Sequence, residues 1–138
     1  MLFRTGDITI QPKFAEILTD FFPRYLSVIQ RFKDAIAEIR IEGHTSSIWN
    51  QHSSDSEAYF NNMELSQGRT RSVLQFVYTL PAVEKEQSWI KNKFAAVGFS
   101  SAHVLLDREG NEDTERSRRV SFKVNTNAET EIRKILAD

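Results

Sequence analysis

The sequence predicts an α/β protein in which a mixed β-sheet carries helices on one face. Two long segments, 14–36 and 65–80, repeat apolar residues at the three- and four-residue spacing of amphipathic helices. Three short segments, 37–42, 95–99 and 120–124, have the alternation or the short apolar run that is typical of strands. Strands separated by helical stretches form layered folds, because each apolar face must be covered by another element.

Length and composition are those of one folded domain spanning residues 1–138. Of the 138 residues, 40% are hydrophobic and 27% are charged, which is the balance of a folded chain and not of a disordered one. The formal net charge of -1 gives no overall field for nucleic acid, and no nucleic-acid partner is expected. The absence of cysteine excludes disulfides, thiolate catalysis and cysteine-based zinc sites.

The N-terminal third is predicted to contain a short strand and a broken helix. Leu2 and Phe3 are expected to end a first strand, and residues 5–7, Thr-Gly-Asp, are a turn signal. A proline inside a helix loses one hydrogen bond and clashes with the preceding turn, at a cost of about 3 kcal/mol. Pro23 is therefore expected to bend or end the first helix and to leave two helical pieces.

A strand and a long loop are predicted to follow. Ala37, Ile39 and Ile41 alternate with charged residues and are expected on the buried face of the strand. Residues 45–61 are rich in serine and show no sustained period, so they are expected to form a loop. Loops of this length are usually functional or mobile.

The C-terminal half is predicted to hold a second long helix, two further strands and a final helix. The second helix should stop at Pro81, and residues 107–116 are expected to form a charged loop before the last strand. The final amphipathic helix is expected to turn three apolar side chains inward, namely Ile132, Ile135 and Leu136.

Three sequence motifs resemble the peptidoglycan-binding domain shared by the OmpA C-terminal region, Pal lipoproteins and the flagellar motor protein MotB. The motifs read IEGHTSS at the end of the predicted strand 37–42, NMELSQGRTRSV at the start of the second helix, and SRRVSF at the last strand. Each motif is weak alone, but their combination and order are specific. The resemblance implies an OmpA-like β-α-β-α-β-β plan with the helices on one face, to which this chain adds a C-terminal helix.

The resemblance also implies a ligand site. In this family an arginine on the helix holds the carboxylate of diaminopimelate in the stem peptide, and that position is Arg69. The implied site further includes residues from all three motifs: Thr45, Ser46, Asn62, Leu65, Arg118 and Arg119.

Ser46 departs from the family, which has at this position an aspartate for the diaminopimelate ammonium. A hydroxyl can accept a hydrogen bond from an ammonium but cannot neutralise its charge. Asp55 or Glu57 in the following loop is expected to replace the missing carboxylate, with Asp55 favoured. Alternatively the pocket has lost its ligand and the domain serves in dimerisation or assembly.

Several of these residues have a second, structural interpretation. Arg69 can instead pair with a structural acid such as Glu42. His44 is interpreted as making a loop hydrogen bond in preference to binding a metal, and no metal or cofactor is expected. Trp49 is equally compatible with stacking on a sugar or peptide and with capping the core. No catalytic activity is expected, because Ser46 and His44 have no third group to orient the histidine.

The resemblance implies peptidoglycan as partner and a periplasmic location. No signal peptide or membrane span is recognisable in the sequence. We therefore expect the chain to be a fragment of a longer, membrane-anchored protein, in which upstream residues contact membrane channel subunits. MotB-like relatives form dimers, and a homodimer is expected here.

Overall fold

A computed structural model describes residues 2–137 and confirms the α/β class, with a three-stranded mixed sheet and packed helices. The helices and strands, in chain order, are α1 Pro12–Gln30, β1 Ile36–His44, α2 Asp55–Tyr78, α3 Gln87–Lys93, β2 Phe94–Gly98, α4 Thr114–Ser117, β3 Arg119–Thr126 and α5 Ala128–Ala137. Short 3-10 turns at Lys33–Ala35 and Pro81–Glu86 complete the connections. No helix among the described residues has the length and apolar character needed to cross a bilayer.

The sheet has β1 at its centre, in the order β2-β1-β3. Strand β1 pairs with β2 in parallel, with Ile39 opposite Phe94, and with β3 antiparallel, with Ile41 opposite Phe122. These four side chains share one face of the sheet because the pairing register places them there. Phe22 of α1 contacts the Phe94 and Phe122 rings with centroids at 5.6 Å and 6.2 Å, so α1 covers this face.

Helix α2 packs on the same face, and two glycines allow it to approach closely. Gly43 of β1 and Gly98 of β2 are register partners. A Cβ atom on Gly43 would lie 2.8 Å from the Ser66 carbonyl oxygen, and one on Gly98 would lie 2.4 Å from the Gln67 nitrogen. The glycine pair therefore brings the motif-bearing turn of α2 directly over the C-terminal ends of the two parallel strands.

The predicted first strand is reduced to a single bridge between Phe3 and Ile10. A turn closes at Asp7, whose N–H donates to the Arg4 carbonyl at 2.9 Å, and Gly6 has a φ of 70° within this turn. The N-terminal segment folds back on itself and adds no strand to the sheet among the described residues. This segment is the one element of the β-α-β-α-β-β plan that the structure lacks.

The prediction that Pro23 divides the first helix is wrong. Helix α1 is continuous from Pro12 to Gln30, with Pro23 in its interior. Buried side chains anchor the helix both before and after the proline, since Leu18, Phe22 and Leu26 are all at most 2% exposed. Packing of this face outweighs the lost hydrogen bond.

The predicted loop 45–61 is also shorter than expected, because α2 begins at Asp55. The Ser54 side chain accepts a hydrogen bond from the Glu57 N–H at 3.2 Å, and the Glu57 carboxylate lies 3.2 Å from the Ser54 hydroxyl. This S-x-x-E pattern caps the helix start and was readable in the sequence.

Two predictions of burial fail at the ends of the sheet and of the chain. Ala37 is exposed because the pairing of β1 with β3 shifts between Ile36 and Glu38, and Ala37 is the extra, unpaired residue at this irregularity. The three apolar side chains of α5 that were expected to face inward are exposed, with Ile135 and Leu136 at 72% and 79%. None of the three side chains belongs to the hydrophobic core.

Candidate functional site

A cleft of about 500 Å³ lies at the C-terminal end of β1. Its walls come from the loop after β1, the middle of α2, the N-terminal segment and the start of β3. Seven of the eight residues that were predicted to form the ligand site line this cleft: Thr45, Ser46, Asn62, Leu65, Arg69, Arg118 and Arg119. The fold thus brings together residues from all three motifs.

Arg69 projects from α2 and is oriented by main-chain carbonyls. Its Nε donates to the Asp7 carbonyl at 2.9 Å and one terminal nitrogen donates to the Arg4 carbonyl at 3.0 Å. Its guanidinium carbon lies 4.9 Å from the centroid of the Phe3 ring. The Arg69 guanidinium forms no ion pair in the described part of the chain. The alternative interpretation, in which Arg69 pairs with Glu42, is therefore wrong, and Glu42 contacts His44.

The electrostatics of the cleft are dominated by guanidinium groups. Burial lowers the pKa of Arg69, and the neighbouring Arg118 charge lowers this pKa further. Burial likewise lowers the pKa of Arg119, whose two terminal nitrogens donate to the Ser117 and His103 carbonyls at 3.1 Å. Arginine remains charged in proteins even when its pKa falls. The cleft therefore holds positive charge that is only partly hydrated.

The loop after β1 is fixed by a carboxylate from the segment just before α4. The Ser47 N–H and hydroxyl donate to the two oxygens of Glu112, at 2.8 Å and 2.6 Å. Thr45 is held by its N–H, which donates to the Ser100 carbonyl at 2.9 Å. Thr45 and Ser46 are nearly inaccessible to solvent, so the missing acid at position 46 leaves a small hydroxyl at the floor of the cleft.

Asn62 and Ser66 hold α2 against its surroundings. The Asn62 amide donates to the Ile48 carbonyl at 3.2 Å and so ties the loop to the helix. The Ser66 hydroxyl accepts from the Ser100 N–H at 3.0 Å and donates to the Met63 carbonyl at 3.0 Å. Both side chains are buried, and their hydrogen bonds give them structural roles within the cleft wall.

His44 is buried in the lining of the cleft, in a cluster with three other groups. Its Nε2 lies 3.5 Å from the Glu42 carboxylate, and its ring stacks on Phe99 with centroids at 5.1 Å. The His103 ring meets the His44 ring edge-on at 5.8 Å. The interpretation of His44 as a source of a loop hydrogen bond is therefore wrong, because the side chain pairs with Glu42 instead.

Stability is expected to decrease as the pH falls, because of His44. Burial lowers the His44 pKa from 6.5, and the Arg119 charge and His103 lower it further, while Glu42 opposes them. Below about pH 6.5 the unfolded histidine takes up a proton before the folded one does, which favours unfolding. The free energy of unfolding should drop between pH 7 and pH 5, and this drop should be smaller in His44→Gln. Urea denaturation of both proteins at the two pH values measures it, and equal drops would contradict this account.

Asp55 is the one predicted site residue that the cleft does not include. It occupies the first turn of α2, about 10 Å along the helix axis from Asn62 at 1.5 Å per residue.

The acidic side chain that does line the cleft is Glu115, in the short helix α4, and sequence reasoning missed it. Sequence reasoning also missed the N-terminal wall, formed by Leu2, Phe3, Thr5 and Gly6. Among the described residues no cluster of three or more His, Asp or Glu side chains could hold a metal ion.

Comparisons with known proteins give one relative of high identity. The chain is 56% identical, over all 138 residues, to the Zorya protein ZorB of Escherichia coli. It spans 59% of the length of that relative. No protein-family model matches the chain.

Solved structures share the fold at low sequence identity. The periplasmic domain of Helicobacter pylori MotB aligns with a TM-score of 0.57 at 17% identity, over 98% of this chain and 78% of that one. The OmpA-like domain of FopA1 from Francisella tularensis gives 0.59 at 18% identity, over 90% and 71%. The cell wall anchor of the T6SS from Pseudomonas aeruginosa gives 0.52 at 19% identity, over 91% and 75%. The fold of this chain is that of the OmpA-like domains, as its motifs predicted.

Proposed function

We propose that the cleft binds the peptidoglycan stem peptide at diaminopimelate and anchors an envelope protein, or a MotB-like motor complex, to the cell wall. The observation that carries this proposal is the Arg69 guanidinium. It is half-buried, it is oriented by two carbonyls, and it forms no ion pair with a described residue. A desolvated charge of this kind is stabilised by an anionic ligand, and a carboxylate accepts from a guanidinium with good geometry.

Arg118 extends the anion site. It is exposed, lines the cleft and makes no side-chain hydrogen bond or ion pair in the described part of the chain. A carboxylate that enters the cleft therefore meets Arg69 at its buried side and Arg118 at its open side. Asn62 and Leu65 shape the wall between the loop and the helix.

Glu115 takes the place that the sequence had assigned to Asp55. The diaminopimelate end of the stem peptide presents an ammonium beside its carboxylate, so the ligand needs an acceptor as well as a guanidinium. Glu115 lines the cleft and forms no ion pair with a described residue. The capping of α4, in which the Asp113 carboxylate accepts from the Arg116 N–H at 3.0 Å, fixes the backbone that carries Glu115.

Glu115→Gln is expected to weaken binding of a stem peptide with a free side-chain ammonium by about tenfold, the value of one hydrogen bond to a charged group. A peptide whose ammonium is acetylated should bind the wild type and the variant equally. Calorimetry with both peptides measures the difference.

Two control variants accompany this experiment. Glu109→Gln changes an exposed acid outside the cleft lining, and Asp55→Asn changes the acid at the start of α2; both should bind as the wild type does. If Asp55→Asn weakens peptide binding and Glu115→Gln does not, the ammonium binds at the start of α2 and not at Glu115.

A second function is favoured by the exposed stripe of α5, formed by Ile132, Ile135 and Leu136. Exposed apolar side chains on one helix are typical of association surfaces. In this alternative the domain serves in homodimer formation or in assembly with channel subunits of a membrane complex. Co-sedimentation of the wild type with purified sacculi separates the two functions, because assembly alone predicts no retention.

The proposed location is the periplasm, in a longer protein held by an inner- or outer-membrane anchor. The Helicobacter pylori relative in fold is a periplasmic domain, and the Pseudomonas aeruginosa one is a cell wall anchor. We infer no nucleic-acid partner, because the formal net charge of -1 provides no overall attraction for a polyanion.

A further inference from the structure

The cleft is lined by apolar side chains as well as by charged ones. Ile48 and Trp49 line it, yet their side chains are 55% and 38% exposed. The Trp49 ring makes no aromatic contact, and its indole N–H has no hydrogen-bond partner among the described residues. Trp49 therefore does not cap the core, which was one of the two roles that the sequence allowed.

The loop that carries Trp49 is held on both sides of the indole. Before it, Ser47 is clamped by Glu112, and the Ile48 carbonyl accepts from the Asn62 amide. After it, the Asn50 side chain accepts from the His52 N–H at 2.9 Å and from the Ser53 hydroxyl at 2.8 Å. These contacts fix the backbone on both sides of Trp49, and its side chain stays partly exposed. A preformed apolar surface of this kind loses little conformational entropy when it binds a ligand.

We propose that Trp49 and Ile48 form a saccharide subsite that is continuous with the charged cleft. A pyranose ring offers a face of C–H groups that packs on an indole, and its hydroxyls can accept from the free indole N–H. Arg69 and Arg118, in the same cleft, take the carboxylate of the peptide. This subsite rests on the proposed function, and it defines the ligand as the saccharide-linked peptide in preference to the peptide alone.

The alternative occupant of this subsite is an alkyl side chain of the peptide itself. An alkyl group would use the apolar face of Trp49 and leave its N–H without an acceptor. A saccharide uses both the apolar face and the N–H of Trp49. Ile48 adds a second, branched apolar surface beside the flat indole. Chemistry therefore favours the saccharide, and ligand comparison tests the choice.

The test compares two ligands and three proteins by calorimetry. The ligands are a diaminopimelate-containing stem peptide and the same peptide linked to its disaccharide. The proteins are the wild type, Trp49→Ala and the control Phe60→Ala, which removes an exposed aromatic side chain outside the cleft lining. The wild type and Phe60→Ala should bind the disaccharide-linked peptide about fivefold more tightly than the free peptide, the value of one aromatic contact. Trp49→Ala should lose that difference while keeping its affinity for the free peptide.

Other outcomes overturn this proposal in distinguishable ways. If Trp49→Ala weakens the binding of both ligands equally, the indole contacts the peptide and not the saccharide. Equal affinities of the two ligands for the wild type would show that no saccharide subsite exists. Absence of binding by the wild type to either ligand would overturn the proposed function itself, and the subsite with it.

Discussion

Arg69→Ala is expected to reduce binding to sacculi and to stem peptide about a hundredfold, the value of a bidentate, charge-assisted contact. The variant should also lose about 1–2 kcal/mol of stability, because two hydrogen bonds to main-chain carbonyls disappear. Those bonds hold the turn from Arg4 to Asp7 against α2. Co-sedimentation and thermal unfolding measure the two effects.

Arg71→Ala is the matched control for this prediction. Arg71 carries the same charge on the same helix, but it is exposed and lies outside the cleft lining. It should bind as the wild type does. Binding of Arg69→Ala is to be measured well below its unfolding temperature, so that the folded fraction is the same in both proteins. If folded Arg69→Ala binds sacculi and stem peptide as tightly as the wild type, Arg69 is not part of the binding site.

Gly98→Ala is expected to destabilise the fold by about 3 kcal/mol or more, the upper part of the range for overpacked cores. The added Cβ would lie 2.4 Å from the Gln67 nitrogen and 2.7 Å from the Ser66 hydroxyl. The nitrogen belongs to helix backbone and cannot move away as a flexible side chain can. Helix α2 must therefore shift as a unit, which also displaces the turn that carries Arg69.

Gly110→Ala provides the comparison, because its Cβ would meet no atom within 4 Å. The φ of 84° at Gly110 makes alanine strained there by about 1 kcal/mol. Urea denaturation of both variants should therefore give a much larger loss for Gly98→Ala. Losses of similar size would show that the close packing of α2 on the parallel strands contributes little.

Periodicity and motifs predicted most of the fold because they report local preferences that the core reinforces. The alternation around Ile39 and Ile41 gave β1, and the spacing from Leu65 onward gave the central part of α2. The failures occur where tertiary contacts override local preference. Pro23 is tolerated because buried side chains on both sides of it anchor α1. Ala37 is exposed because the register of β1 and β3 shifts beside it, which only the pairing of the two strands determines.

The cleft was predictable only in part, for a related reason. Motif positions alone were enough to group Ser46, Arg69 and Arg118 in one site. Glu115 and the N-terminal wall carry no motif. The wall reaches the cleft because the chain folds back, so that Asp7 and Arg4, 62 and 65 positions before Arg69, supply its carbonyl partners. Contacts across such separations leave no periodic signal in a single sequence. Asp55 was predicted to reach the cleft because residues 45–61 were expected to form one loop, but it lies in the capped first turn of α2.

The central claim is that this cleft is the peptidoglycan site, and amide chemical shifts during titration with a soluble disaccharide-linked stem peptide test it most directly. We expect saturable shifts at three of its walls, in 45–49, 65–69 and 118–120. Shifts should be absent from the described residues of α5 and from the exposed side of α1. Shifts that cluster away from the cleft, or an unchanged spectrum at millimolar ligand, would contradict the claim.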